Sequence, residues 1–295
     1  MREYFTLQGI PWEELRPLQE KELGCLLHLD AICRANNLRY FVGGGTCIGA
    51  LREGGFLAWD DDIDIWMPRP DYERLHEIYD AVNTNPNYRL CRNTETECYH
   101  INCSFIKDIT GTFINKHSVE EDVCHGIPID VMALDAAPSN PFARLEQIFL
   151  SILESIYISQ RLPDHQGSIV RALTHIPLAL VRKRSTRYRI WKWCEKRMTR
   201  WKWEDCTRAV ELTTGLKVKF HSLPKEWFDT TKPAMFEGHE IQVAQGAEQY
   251  MEFLFGDWRK PPAESEKTPR HNIAYANMDV PYSEYKGVYY CVKGQ

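Results

Sequence analysis

Four aspartates occupy the five positions from 60 to 64 in "AWDDDIDIWM", between Trp59 and the apolar run Ile65-Trp66-Met67. Like charges repel and aspartate is a poor strand former, so a chain that threads this segment into apolar surroundings must bring a counter-charge to it. In a strand, Asp60, Asp62 and Asp64 point one way while Asp61, Ile63 and Ile65 point the other, with same-side neighbours about 6.6 Å apart. Hard carboxylate oxygens clustered in this way suit Mg²⁺ or Mn²⁺, which in turn bridge phosphate oxygens. A calcium loop of the D-x-D-x-D type needs glycine at its sixth position, where Ile65 stands. A solvated acidic turn without a ligand is the structural alternative.

The preceding residues supply a complementary feature. "LRYFVG" (38–43) reads as a strand entering the glycine turn "GGGT" (43–46), and "TCIGALRE" (46–53) as a short helix. Glycines at a strand-to-helix turn let backbone N–H groups approach a phosphate, with the helix N-terminus adding partial positive charge. Alone this is a weak signal; followed by "DIDI" (62–65) on the next strand it becomes a strong one.

Further along, apolar spacing predicts a helix over 12–36, another over "RPDYERLHEIYDAV" (69–82), and strands at "HINCSFIKD" (100–108) and "GIPIDVMAL" (126–134). Polar "ITGTFINKHSVEEDVC" separates those two strands. From 141 to about 210 the pattern reads as helical; then come strand-like "HEIQVA" (239–244), helix-like "AEQYMEFLFG" (247–256) and a loop-rich end.

With 295 residues and 43% apolar composition, the chain can bury a full core. Ten cysteines without framework spacing, behind an N-terminus lacking an apolar signal region, read as reduced cytoplasmic thiols. The run 169–181 is interrupted by Arg171, His175 and Pro177 and is too short to span a bilayer. Residues 182–208 hold eleven Lys or Arg against Glu195, Glu204 and Asp205, a net of +8 in a chain of net −5, together with Trp191, Trp193, Trp201 and Trp203. Such a segment fits an anionic membrane surface, which the stripe Trp191, Cys194, Met198, Trp201 would meet, or a solvated helix pair whose tryptophans face the core. No nucleic-acid partner is expected.

The whole of "GGGTCIGALREGGFLAWDDDIDIWMPRPDYERL" (43–75) resembles the LicD family of phosphocholine transferases, relatives of the fukutin-related proteins, within the nucleotidyltransferase superfamily. Gly44, Gly45, Thr46, Gly49, Arg52, Gly55, Phe56, Trp59, the Asp60–Ile65 run, Met67, Arg69, Asp71 and Tyr72 match its pattern; Cys47, Ile48 and Ala58 depart conservatively. "FIKD" (105–108), "IPIDVMALD" (127–135) and "FEGHEIQVAQGAEQYMEFLFGDW" (236–258) extend the resemblance to about 38–260.

The resemblance implies an α/β (α+β) fold: a nucleotidyltransferase-like mixed-sheet core over 1–140, a helical insertion over 141–215, and a C-terminal part over 216–295 that completes the core. It implies that Asp62 and Asp64 hold Mg²⁺ or Mn²⁺, with Asp60 assisting, and that Asp130 completes the metal site and takes the acceptor's proton. Gly44, Gly45 and Thr46 would cradle donor phosphates, and Arg52 and Lys107 would contact them; surface ion pairing for Arg52, an edge-strand charge for Lys107 and a strand-end hydrogen bond for Asp130 are the bland alternatives. The implied reaction moves phosphocholine, or a similar phospho-alcohol, from CDP-choline or another CDP-alcohol to a sugar hydroxyl of a cell-surface glycan precursor such as teichoic acid or lipopolysaccharide, releasing CMP. A lipid-linked acceptor in that scheme places the protein in the cytoplasm with peripheral contact to the inner membrane face through 169–203. A nucleotidyltransferase moving the nucleotide itself, and a non-catalytic glycan- or nucleotide-binding module, are the competing readings.

Overall fold

A computed structural model describes residues 2–160 and 167–292. Strand β1 (Glu3–Tyr4) precedes the long helix α1 (Arg16–Ala35), in which Leu18, Glu22, Cys25, Leu26, Leu29 and Cys33 recur at helical spacing and are buried. β2 (Phe41–Val42) leads into α2 (Gly44–Ile48), which widens into a π-helical turn over Gly49–Glu53 and stops at Gly54 in the left-handed conformation. β3 (Asp64–Pro68) runs directly into α3 (Arg69–Val82), whose Pro70 sits in the first turn, where its missing N–H is harmless.

Next come β4 (Tyr88–Cys91), β5 (Ser104–Asp108), β6 (Thr112–Asn115) and the long β7 (Ile127–Ala137). Three helices follow: α4 (Pro141–Ser159), α5 (Gly167–Leu180) and α6 (Arg184–Met198). The remainder comprises β8 (Arg208–Glu211), α7 (Leu216–Phe220), β9 (Leu223–Pro224), β10 (Thr231–Phe236), β11 (His239–Ala244), α8 (Ala247–Phe255) and β12 (Ile273–Asn277).

The central sheet has the order β2-β3-β7-β5-β4, and β7 also pairs with β8, which pairs with β9. β3 and β7 are parallel while the other pairs are antiparallel, so this is the expected mixed-sheet α/β fold. β7 serves two neighbours on one side because it is long: its first half pairs with β5 and its last four residues with β8. β8 falls inside the stretch read as helical, and its Ala209 and Val210 are buried against the sheet. A second, three-stranded sheet, β1-β12-β6, ties the N-terminus, the loop-rich tail and the polar stretch after β5 together.

α6 lies against α4, with Trp191 beside Tyr157 and Ile158, and Cys194 and Met198 beside Leu150. The stripe Trp191, Cys194, Met198 therefore faces inward, which corrects the expectation that it is presented to a membrane. Burying it removes two large apolar surfaces from water together, since α4 offers a matching apolar face. Of the apolar run 169–181, the side chains at 169–173 lie outside the described residues. Among the described residues no helix is long and apolar enough to cross a membrane.

Candidate active site

The parallel pairing of β3 and β7 sets Asp64 opposite Asp130, and Asp130 N–H donates to the carbonyl of Ile63 at 2.9 Å. Register partners share a sheet face, so both carboxylates project to the same side. Phe105 is the partner of Asp130 on β5, and Lys107, two residues on, shares that face. Asp60 and Asp62 lie in the irregular segment just before β3 rather than in the strand. The alternation nevertheless holds, because Asp61 turns away. Its carboxylate accepts from the backbone N–H groups of Arg270 and His271, both at 2.9 Å, and lies 3.4 Å from Nδ1 of His271.

The glycine turn closes over these carboxylates. Gly43 N–H donates to the carbonyl of Asp64 (2.8 Å), and Asp64 N–H donates to the Thr46 hydroxyl (3.0 Å). A Cβ on Gly44, where φ is 47°, would stand 2.5 Å from Oδ2 of Asp64, and one on Gly45 would stand 2.6 Å from Oδ2 of Asp60. Glycine is required there because the backbone passes where a side chain would displace a carboxylate. Thr46 is buried and engaged with Asp64, so it positions that residue's backbone.

Electrostatics distinguish the cluster from an ordinary acidic turn. Burial, followed by the charge of Asp62, pushes the Asp60 and Asp64 carboxyls well above the usual carboxylate range. Asp62 is raised by burial, and Asp130 is raised by burial to about 6. Sequence reasoning missed a further member: Glu22 of α1 is buried, is raised by desolvation and then by Asp62, and its Oε2 has no partner among the described residues. The signal for it is an acidic residue at a position of α1 where helical spacing calls for an apolar one. His271, in the loop before β12, was missed as well. Burial disfavours its charge, yet Asp61, Asp62 and Asp130 raise it to about 10.

Five carboxyls, those of Glu22, Asp60, Asp62, Asp64 and Asp130, thus lie near one another, with Asp61 behind them holding His271 and the Arg270 backbone. The excess of negative charge, the oxygen-only donors and the orphaned Glu22 oxygen fit a divalent hard cation. Asp60, Asp62, Asp64 and Asp130 are the residues that would hold it.

The proposed phosphate contacts occupy different places. Lys107 is buried on an interior strand rather than at an edge, donates to the carbonyl of Cys124 (2.9 Å) and lies 4.8 Å from the ring centroids of both Tyr99 and Phe105. A cavity of about 140 Å³, lined by Tyr99, Phe105, Lys107, Phe113, Asp130 and His271 among others, connects it with the acidic cluster. Arg52 donates to Glu53 (2.7 Å) and to the carbonyl of Trp258 (2.8 Å), leaving Nη2 buried without a partner among the described residues.

The cysteines near the site are dispersed. Cys103 lies 3.8 Å from Oδ2 of Asp130, the Cys91 thiol is hydrogen-bonded with that of Cys124, and Cys98 stands with His100 and Glu121 in a group whose ligand-type atoms lie within 4.8 Å of one another. That last group is also hydrogen-bonded to Ser159, Gln160 and Arg184.

Residues 37–125 match the family described as LicD/FKTN/FKRP, nucleotidyltransferase domain. The lipopolysaccharide cholinephosphotransferase LicD of Haemophilus influenzae is 27% identical over 267 residues, covering 86% of this chain and 96% of that protein. An uncharacterised protein of Rickettsia prowazekii is 32% identical over 66 residues, 20% of this chain and 25% of its own length. The glycine turn, the aspartate segment and β5 all fall inside the matched domain, and the Haemophilus relative is similar over most of the chain: the chain is similar to the transferases of the LicD family.

Proposed function

We propose that this enzyme transfers phosphocholine, or a closely similar phospho-alcohol, from a CDP-linked donor to a sugar hydroxyl of a cell-surface glycan precursor, with release of CMP. The observation that carries the reading is the register of Asp64 with Asp130 beneath the glycine turn. The cholinephosphotransferase activity in the name of the Haemophilus relative supports the choice of group.

In this mechanism the acceptor oxygen attacks the donor phosphorus that bears the alcohol. The bond from that phosphorus to the bridging oxygen breaks, and CMP leaves with the oxygen. Asp130, which shares a sheet face with Asp64, would accept the hydroxyl proton. Lys107 and the charged His271 line the adjoining cavity and offset negative charge on the diphosphate. Mg²⁺ or Mn²⁺, held by Asp60, Asp62, Asp64 and Asp130, would supply further neutralisation of that charge. Gly44 and Gly45 keep the backbone of the turn close to the Asp64 and Asp60 carboxylates, where its N–H groups would be free to meet a donor phosphate. Lys107 and Arg52, each with its aliphatic stem buried, would fix the donor's orientation.

Incubation with CDP-choline, CDP-ethanolamine, CDP-glycerol and CDP-ribitol, with Mg²⁺ and a glycan acceptor, tests the proposal. The expected result is CMP release together with a phosphodiester on the acceptor, greatest with one of these donors. Diphosphate release with a nucleotide on the acceptor would instead establish nucleotidyl transfer.

A further inference from the structure

α4 is apolar on two faces. Its inner face packs Ile148, Leu150, Tyr157 and Ile158 into the core, while Phe142, Leu145 and Phe149 on the outer face are 80%, 59% and 62% exposed. These three, with the half-buried Ile152, recur at alternating spacings of three and four, so one stripe runs along the first three turns of the helix, and beyond it Ile156 packs inward beside Tyr157 and Leu178. Large apolar side chains grouped in this way mark an interaction surface, whereas scattered ones do not.

The stripe adjoins a basic row that runs along α6 and just past its end. Arg197 and Arg200 both bind Glu146, which is one turn from Phe142 and from Phe149, at 2.5 and 2.6 Å. The same outer side of α6 exposes Arg189, Trp193 and Lys196, and the Arg197 guanidinium lies 6.0 Å from the Trp193 ring. On α7, which packs on α4 through Arg144 and the Lys219 carbonyl, Phe220 adds another exposed ring.

We propose that this face, built from the outer sides of α4 and α6, docks reversibly on a bilayer rich in anionic phospholipid. The apolar stripe would enter the acyl boundary, Trp193 would sit at headgroup level, and Arg189, Lys196, Arg197 and Arg200 would meet lipid phosphates. Charge complementarity selects this occupant over a second copy. Across a two-fold interface the basic row of one copy would face that of the other, in a chain whose positive charge is concentrated in this segment. The assignment differs from the one drawn from sequence, since the tryptophan-sulfur stripe of α6 is buried and the exposed apolar residues belong to α4. Its benefit to catalysis rests on the transfer reading, with a lipid-linked acceptor. The docking itself does not.

Flotation with phosphatidylglycerol–phosphatidylcholine vesicles at low and high salt, without donor or acceptor, tests the proposal independently of transfer. The intact chain is expected to float at low salt, to be released at high salt, and not to float with pure phosphatidylcholine. Phe142→Ser, Leu145→Ser and Phe149→Ser together should lower the bound fraction at least tenfold. Arg189→Gln with Lys196→Gln should lower it severalfold, and both variants should keep wild-type activity on a water-soluble acceptor. Wild-type protein that stays wholly unbound at low salt, or a triple-serine variant that floats like wild type, would overturn it. So would a dimer in light scattering that the triple-serine change dissociates, since that would give the stripe to a second copy.

Discussion

Gly44 and Asp64 are packed so closely that a Cβ on the glycine would lie 2.5 Å from the aspartate's Oδ2. The contact joins the turn that would hold phosphate to the carboxylate that would hold the cation, and φ of 47° at Gly44 disfavours any other residue. Gly44→Ala should therefore destabilise the chain by roughly 1–2 kcal/mol from the backbone alone. It should also abolish transfer by displacing Asp64. Chemical denaturation and a CMP-release assay measure the two effects separately; a variant with wild-type activity would disconnect the turn from the chemistry.

Neutralising one member of the acidic cluster should separate stability from function. In the metal-free protein, Asp64→Asn removes one of several mutually repelling buried charges. A gain of roughly 1 kcal/mol corresponds to about 2–4 °C in melting temperature for a domain of this class. Transfer should nevertheless be lost, and the thermal shift that Mg²⁺ or Mn²⁺ gives the wild type should shrink. A melting temperature that falls in the absence of metal would show that the carboxylate is structurally satisfied rather than strained.

Much of this arrangement is legible in sequence where local pattern and packing agree. α3 occupies 69–82 as its spacing predicts, and the alternation of Asp60, Asp62 and Asp64 against Asp61 persists although only Asp64 lies in a regular strand. The second sheet is not legible. β6 lies in a polar stretch and β12 in a loop-rich tail; each is short, and each is held by pairing with a strand far away in sequence. His271 belongs with the unreadable part for the same reason, reaching Asp61 only because β12 pairs with β6. The outward apolar stripe of α4 is masked by apolar residues on its other face, so periodicity alone does not say which side is covered.

Arg69 ties the start of α3 to β7 through Asp135, with Nε to Oδ1 at 2.7 Å and Nη2 to Oδ2 at 2.8 Å. The aspartate side chain is almost wholly buried. Removing one partner leaves an uncompensated buried charge, which typically costs about 3–5 kcal/mol. Arg69→Ala should lower the denaturation midpoint accordingly, and Arg69→Met with Asp135→Leu should recover part of the loss. A loss below about 1 kcal/mol in the single variant would mean that Asp135 finds another partner.

His100 gives the chain a pH-dependent component. Burial opposes its charge, but hydrogen bonds with Cys98 and Glu121 outweigh burial and raise it to about 10. In the unfolded chain a histidine titrates near 6.5. The folded state therefore holds a proton that the unfolded state releases. Its stabilisation is fully present below about pH 6.5 and is lost as pH rises through about 10. Denaturation midpoints measured across that window should fall with pH in the wild type and fall less steeply in His100→Gln. Parallel pH profiles for the two proteins would remove His100 from the network.

Metal-dependent phospho-alcohol transfer is tested most directly by the mass of the acceptor after reaction with CDP-choline, measured for the wild type with Mg²⁺, for the wild type with excess chelator, and for Asp62→Asn with Mg²⁺. The predicted result is a mass gain equal to phosphocholine, with equimolar CMP, in the first reaction and none in the other two. A gain equal to the nucleotide, or an undiminished phosphocholine gain in chelator or in Asp62→Asn, would contradict it.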